Sequence, residues 1–308
     1  MTPQHAPDRQ DIWFNSGDTP CHAWLYLPAS TSPDRRVPIV VMAHGLGGVK
    51  RGGLPAFAER FQAAGYACLV FDYRYFGLSK GTPRELLDIA AQREDWRAAV
   101  AHAKGLPQVD PARVVVWGTS FGGGHAIVTA ANDPTIAAAI AQCPFTDGVS
   151  SSLAIPPLNS LKVGVWATLD MLASWTGRKP VRVATAAPPG VASLMTAADA
   201  WDGVCAIHRA SGLPETPTFV PARIAFQIMF DAPGRHAKDV ICPALYVVCA
   251  NDTVAPAKAS LRHLRKSPRG NIIEYQEGHF SIYQGAAFER NVTDQLAFLS
   301  QHVPIGQR

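Results

Sequence analysis

Apolar residues in this chain follow two rhythms. The runs VPIVVMAH (37–44), YACLVFDY (66–73), ARVVVWGTS (112–120), TIAAAIAQCPF (135–145) and PALYVVCAND (243–252) are almost continuously apolar, rich in β-branched and aromatic residues. Strands buried on both faces of a parallel sheet read this way. GNIIEYQEGH (270–279) is a further strand, and DIWFNSGDTPCHAWLYLP (11–28) reads as an opening antiparallel hairpin. Helical segments alternate with these strands. They run from Leu54 to Ala64 with Gly65 as C-cap, Arg84 to Lys104 closed by Gly105, Gly122 to Asn132, Pro256 to about Lys266, and Gln284 to His302. The alternation predicts an α/β domain built on a mainly parallel sheet with helices on both faces.

From about Gly148 to Arg235 the rhythm stops, and the chain becomes irregular and proline-rich (AIPPLNS, AAPPGVA, GLPETPTFVPA). One amphipathic helix stands out there, with Leu161, Val165, Leu169, Leu172 and Trp175 at helical spacing and Gly177 closing it. The simplest organisation is a core of residues 1–147 and 236–308, interrupted by a mostly helical insertion of residues 148–235. The insertion carries Trp166, Trp175, Trp201, Met171, Met195, Met229, Phe226 and Phe230. Most of these are expected to bury against one another or the core. So apolar an insertion favours an acyl chain or ring system as ligand over a sugar or polyanion.

The strand at 112–120 ends in GTSFGGGH. Ser120 sits between Gly118 and Gly122 where a strand passes into a helix, a turn so tight that only residues lacking a Cβ relieve the crowding at both flanks. Such a turn thrusts the hydroxyl out at the carboxyl end of the sheet. It also places the Phe121 amide at a helix N-terminus, where partial positive charge favours an anion. An acyl-transfer nucleophile needs both features.

Serine needs a general base oriented by an acid. Of ten histidines, His279 directly follows the last strand and so shares the sheet edge with Ser120. His44, in AHGLGG, suits another role, and His125 lies along the helix behind the serine. Asp252 ends the preceding strand and completes the order Ser120, Asp252, His279. Asp147 also ends a strand near the serine, as an alternative acid or as an N-cap opening the insertion. A tetrahedral intermediate requires preorganised donors. Phe121 offers one amide and the flexible loop HGLGG another, with Leu46 as the expected donor. Arg74 is suited to a substrate carboxylate or to a structural ion pair.

Composition narrows the partners. With 47% hydrophobic residues and 28 basic against 24 acidic side chains, the net charge of +4 is too slight and dispersed for nucleic acid. The densest basic run, Arg262–Lys266, fits a solvated helix face. No apolar run reaches membrane-spanning length. MTPQHAPDRQD lacks the basic-then-apolar order of a secretory signal, and six cysteines without a C-x-x-C pair read as small core residues. A soluble protein of the cytoplasm is expected.

HGLGG (44–48), FDYRYFGLSKG (71–81), GTSFGG (118–123), CAND (249–252) and EGHF (277–280) together resemble the α/β-hydrolase superfamily. The first two, with this form of the serine turn, are most similar to its dienelactone-hydrolase-like and acyl-peptidase-like branch, which includes hydrolases and acyl transferases of polyketide pathways. The resemblance spans nearly the whole chain outside the insertion. It implies an eight-stranded sheet, a lid inserted after the sixth strand, and a triad of Ser120, Asp252 and His279 with oxyanion donors at Phe121 and Leu46. Two positions depart from the pattern. Tyr75 stands where relatives commonly have glycine, placing a bulkier group near the pocket mouth, and Cys249 replaces a glycine three residues before the acid.

The expected activity is cleavage of a hydrophobic ester or thioester through an acyl-enzyme, without cofactor or metal. Acyl transfer to an alcohol or amine, from a polyketide-like donor, is the alternative within this chemistry. A non-catalytic ligand-binding module is the alternative outside it. The expected partner is a small hydrophobic acyl substrate, with a homodimer left open.

Overall fold

A computed structural model describes residues 9–29, 31–32 and 35–306. The N-terminal stretch read for a leader lies largely outside the described residues, as does His5.

The hairpin forms as β1 (Arg9–Ser16) and β2 (Thr19–Tyr26). There follow β3 (Val37–Ala43), α1 (Leu54–Ala63), β4 (Ala67–Phe71), α2 (Ile89–Lys104), β5 (Val109–Thr119), α3 (Phe121–Asn132) and β6 (Ala138–Gln142). After an insertion come β10 (Ala244–Cys249), α8 (Ala257–Leu264), β11 (Gly270–Tyr275) and α9 (Gly285–His302). The eight strands form one sheet in the order β1-β2-β4-β3-β5-β6-β10-β11. Within it β2 alone runs against the rest. Alternate residues of one strand feed two cores. Ile39, Val41 and Ala43 of β3 face the side of α2 and α3, with Trp96 and Ile127. Val40 and Met42 face α1 and α9, with Phe57 and Phe298. All six cysteines are buried and free. None of the described helices is long and apolar enough to cross a membrane.

α2 begins at Ile89 rather than Arg84, because Asp88 caps it by accepting from the Ala91 amide at 2.8 Å. Gly65, at φ +97°, takes the left-handed conformation that ends α1.

The segment between β6 and β10 contains α4 (Gly148–Leu153), α5 (Pro157–Trp175), α6 (Ala200–Ala210) and α7 (Ile224–Phe230). It also contains a three-stranded sheet not expected from its sequence: β7 (Arg182–Ala186), β8 (Ser193–Met195) and β9 (Phe219–Pro221), in the order β8-β7-β9. Strands of three to five residues offer too few alternations for a pattern to register. The large apolar side chains of the segment correct a second expectation. Phe226, Met195 and Met229 line a cavity at Ser120, whereas Trp175 and Phe230 are exposed.

Candidate active site

The turn after β5 is held by close backbone approach. A Cβ on Gly118 would lie 2.0 Å from the Gly122 carbonyl oxygen, and one on Gly122 would lie 2.5 Å from that of His44. Ser120 at their centre has φ +56° and ψ −119°, a conformation that costs a non-glycine residue of order 1–3 kcal/mol. Its hydroxyl consequently projects at the carboxyl edge of the sheet.

β10 and β11 end beside it and bring Asp252 and His279 to the same point. His279 Nδ1 lies 2.6 Å from Asp252 Oδ2, and Nε2 lies 3.0 Å from Ser120 Oγ. We assign the proton to Nδ1, where the carboxylate accepts it, so the lone pair of Nε2 faces the hydroxyl. The other carboxylate oxygen of Asp252 accepts from the Val254 and Ala255 amides at 2.8 and 2.7 Å. His279 is fully enclosed. Burial alone would lower its pKa, but the Asp252 carboxylate outweighs this and holds it well above the usual range.

Asp147 is engaged elsewhere. It caps α4 by accepting from the Ser150 amide at 2.9 Å, and it pairs with His263 at 3.0 Å and Arg262 at 2.8 Å. Burial pushes its carboxyl up, but the bonds from His263 and Ser150 prevail and hold it down at about 2. The basic run 262–266 is therefore only partly a solvated face, since His263 is buried on this carboxylate. Arg74 is in a structural ion-pair cluster, 2.7 Å from both Asp95 and Glu94. Tyr75 lines neither cavity at Ser120. It packs against Gly81 at φ +74°, which is the left-handed backbone that glycine supplies most easily at this position.

Phe121 is the first residue of α3, so its N–H has no acceptor within the helix. The loop after β3 brings Leu46 to the same place. A Cβ on Gly45 would lie 2.9 Å from Ser120 Cβ, and Leu46 lines the cavity with Ser120. Asp72, which sequence reading missed, fixes this loop. Its Oδ1 accepts from the Lys50 amide at 2.7 Å, and its Oδ2 from the Lys50 ammonium at 2.5 Å and the Leu78 amide at 3.1 Å. The signal was available: a carboxylate ending a wholly apolar strand needs a buried partner. The insertion braces the loop from the other side, where Gly47 at φ +61° packs on the Thr185 methyl group of β7.

Two cavities open at Ser120, both lined by Leu46 and Met195. One, of about 180 Å³, lies under the insertion among Phe121, Phe145, Val163, Phe226 and Ile228. The other, of about 90 Å³, lies on the His279 side among Val49, Ile207, Leu213, Phe280 and Tyr283. Cys143 Sγ, Asp252 and His279 offer ligand atoms within 4.8 Å of one another. However, the Asp252–His279 contact of 2.6 Å is shorter than the roughly 3.3 Å between two ligands of one tetrahedral ion, so this pair is set for a shared proton.

The sequence model of the serine aminopeptidase S33 family matches residues 34–279. The chain is an α/β-hydrolase of that family. It is 52% identical over 295 residues to the quorum-quenching protein AidA of Acinetobacter baumannii, covering 96% of this chain and 95% of that one. It is 29% identical over 314 residues to the polyketide transferase GrgF of a Penicillium species, covering 98% and 99% of the two chains. The crystal structure of GrgF superposes on this α/β-hydrolase with a TM-score of 0.81 over 96% of this chain and 98% of that one, at 26% identity. The thiohydrolase AneE of Aspergillus aculeatus is 27% identical over 290 residues, 89% of this chain and 87% of its own.

Proposed function

We propose that the protein is a serine hydrolase that cleaves a hydrophobic ester or thioester through an acyl-enzyme on Ser120. The observation that carries this reading is the continuous line Asp252–His279–Ser120, at 2.6 and 3.0 Å, ending on a serine in a strained turn. A binding module has no need of that strain.

His279 Nε2 takes the hydroxyl proton as Ser120 Oγ attacks the acyl carbon, and Asp252 stabilises the imidazolium through Nδ1–H. The oxygen that becomes negative is received by the Phe121 and Leu46 amides. As the intermediate collapses, His279 returns the proton to the departing alkoxide or thiolate. Water then enters, gives a proton to the same nitrogen, and releases the acid. In this reading residues 148–235 act as a cap over the site. The larger cavity holds the acyl group, since its volume is on the order of one that takes a single aromatic ring. The smaller cavity, beside the proton donor, holds the leaving group.

That second cavity, together with the likeness to a polyketide transferase, supports a second reading. An alcohol or amine held there in place of water would receive the acyl group. The quorum-quenching name of the relative at 52% identity is in keeping with cleavage of a small signal molecule. Assay against p-nitrophenyl esters of increasing chain length, with Ser120→Ala as control, tests the proposal. Turnover should fall by at least ~10³-fold in the variant. Turnover that survives the substitution would refute it.

A further inference from the structure

The long helix of the insertion turns its apolar stripe outward. α5 packs through Val163, Ala167, Asp170 and Ala173, which are buried. Asp170 locks its orientation by accepting from the Val181 amide at 2.9 Å and the Arg223 amide at 3.0 Å. On the opposite side lie Leu158, Leu161, Val165, Thr168, Leu172 and Trp175. These side chains are all exposed: 65% for Leu158 and Leu161, 51% for Val165, 49% for Leu172 and 74% for Trp175. Scattered exposed leucines need no explanation, but a contiguous stripe does.

The spacing of the stripe is 3-4-3-4-3, the heptad repeat by which one helix seats along another. With Leu158 and Val165 at the first position of successive heptads, the buried Val163 and Asp170 fall at the position facing directly away from the seam. The helix therefore already uses its back, and its seam has no partner among the described residues. At these exposures the stripe offers apolar surface of the same order as the ~800 Å² a side of a standard protein–protein interface.

We propose that this seam takes a second copy of the same chain, with the two α5 helices antiparallel across a two-fold axis. The sequence is matched to itself in that arrangement. With the axis between Val165 and Thr168, Leu158 meets Trp175 of the second copy, Leu161 meets Leu172, and Val165 meets Thr168. The match is complete along the seam. On one flank Met171 of the second copy stands over Gly164, beside which an added Cβ would find no atom within 4 Å. On the other flank the aliphatic stem of Lys162 runs along Leu169. The seam itself carries no charge, so the two-fold axis sets no like charges face to face. A membrane surface would instead be served by basic residues along both edges of the stripe. Lys162 is the one exposed charge on the helix, and Arg178 and Lys179 lie beyond its end. Asn159, Ser160, Val163 and Gly164 also line the larger cavity, so this contact would fix one of its walls.

Sedimentation of the full-length protein at tens of micromolar, alone and after incubation with phosphatidylcholine–phosphatidylglycerol vesicles, tests the proposal. A dimer is expected, and L161E/L172E should be a monomer that keeps the parent's far-UV circular dichroism, since both positions are exposed in the single chain, and that melts below the parent only where the parent is dimeric. The register has its own test. Leu161→Cys and Leu172→Cys proteins, mixed and mildly oxidised, should cross-link to each other, and neither should cross-link alone. All six native cysteines are buried, which keeps the background low. A monomeric parent protein, a dimer that persists in L161E/L172E, self-cross-linking of either single variant, or a monomer that floats with the vesicles would each overturn the proposal.

Discussion

Gly118 and Gly122 stand so close that a methyl group on the first would penetrate the carbonyl oxygen of the second, 2.0 Å away. The atom in the way is backbone, so no side chain can move aside. Gly118→Ala should cost about 3 kcal/mol or more and lower the melting temperature by at least ~5 °C. Calorimetry checks this, and a variant that melts with the parent would show that the turn is looser than described.

The two candidate acids make separable predictions. Asp252→Asn should leave the fold intact and lower kcat about 10⁴-fold, because the imidazole loses the acceptor that fixes its tautomer. Asp147→Asn should retain most of the activity. What it removes is stability that the parent holds above pH ~4 and loses as pH falls through about 2, where the depressed carboxyl protonates. Steady-state kinetics and acid denaturation of both variants distinguish them. An Asp147 variant as inactive as the Asp252 variant would reverse the assignment.

Activity should climb with pH. A protonated His279 cannot accept the Ser120 proton, and its pKa is held above the ordinary histidine value by Asp252 despite burial. The profile of kcat/KM should therefore inflect above pH 6.5, with activity lost as pH falls through that point. In Asp252→Asn the largest upward influence is gone and burial remains, so the inflection of the residual activity should move down. An inflection at or below 6.5 in the parent would contradict this account.

Lys50 and Asp72 are both buried, and the ammonium is also 4.6 Å from the centre of the Trp24 ring. Asp72→Asn should destabilise by about 3–5 kcal/mol, because it strands a buried charge. Adding Lys50→Met should restore much of that stability while kcat stays below the parent's, since the loop bearing Leu46 keeps only part of its anchorage. Thermal melts of the single and double variants check the first part, and kcat against KM checks the second. Full activity in the double variant would show that Asp72 does not position that loop.

Much of this was legible in the sequence, for physical reasons. Strands buried on both faces must be apolar throughout, so the sheet declared itself. A serine between glycines at a strand–helix junction has few structural uses, and the order of strands fixed where Asp252 and His279 would fall. Periodicity, in contrast, says which residues of α5 share a face but not which face is inside. Trp175 was among the side chains expected mostly to bury, yet it is exposed with Leu161 and Val165, and the small residues Ala167 and Ala173 are the ones that pack. The start of α2 was misplaced because the cap at Asp88 outranks the propensity of the residues before it. The pairing of Asp72 with Lys50 joins positions 22 residues apart, and no local pattern encodes it.

A covalent probe tests directly whether Ser120 is the nucleophile. The protein is treated with a fluorophosphonate, digested, and the adduct located by mass spectrometry. One adduct is expected, on Ser120, formed far more slowly when His279 is replaced by alanine. No adduct, or an adduct on another serine, would contradict that role for Ser120.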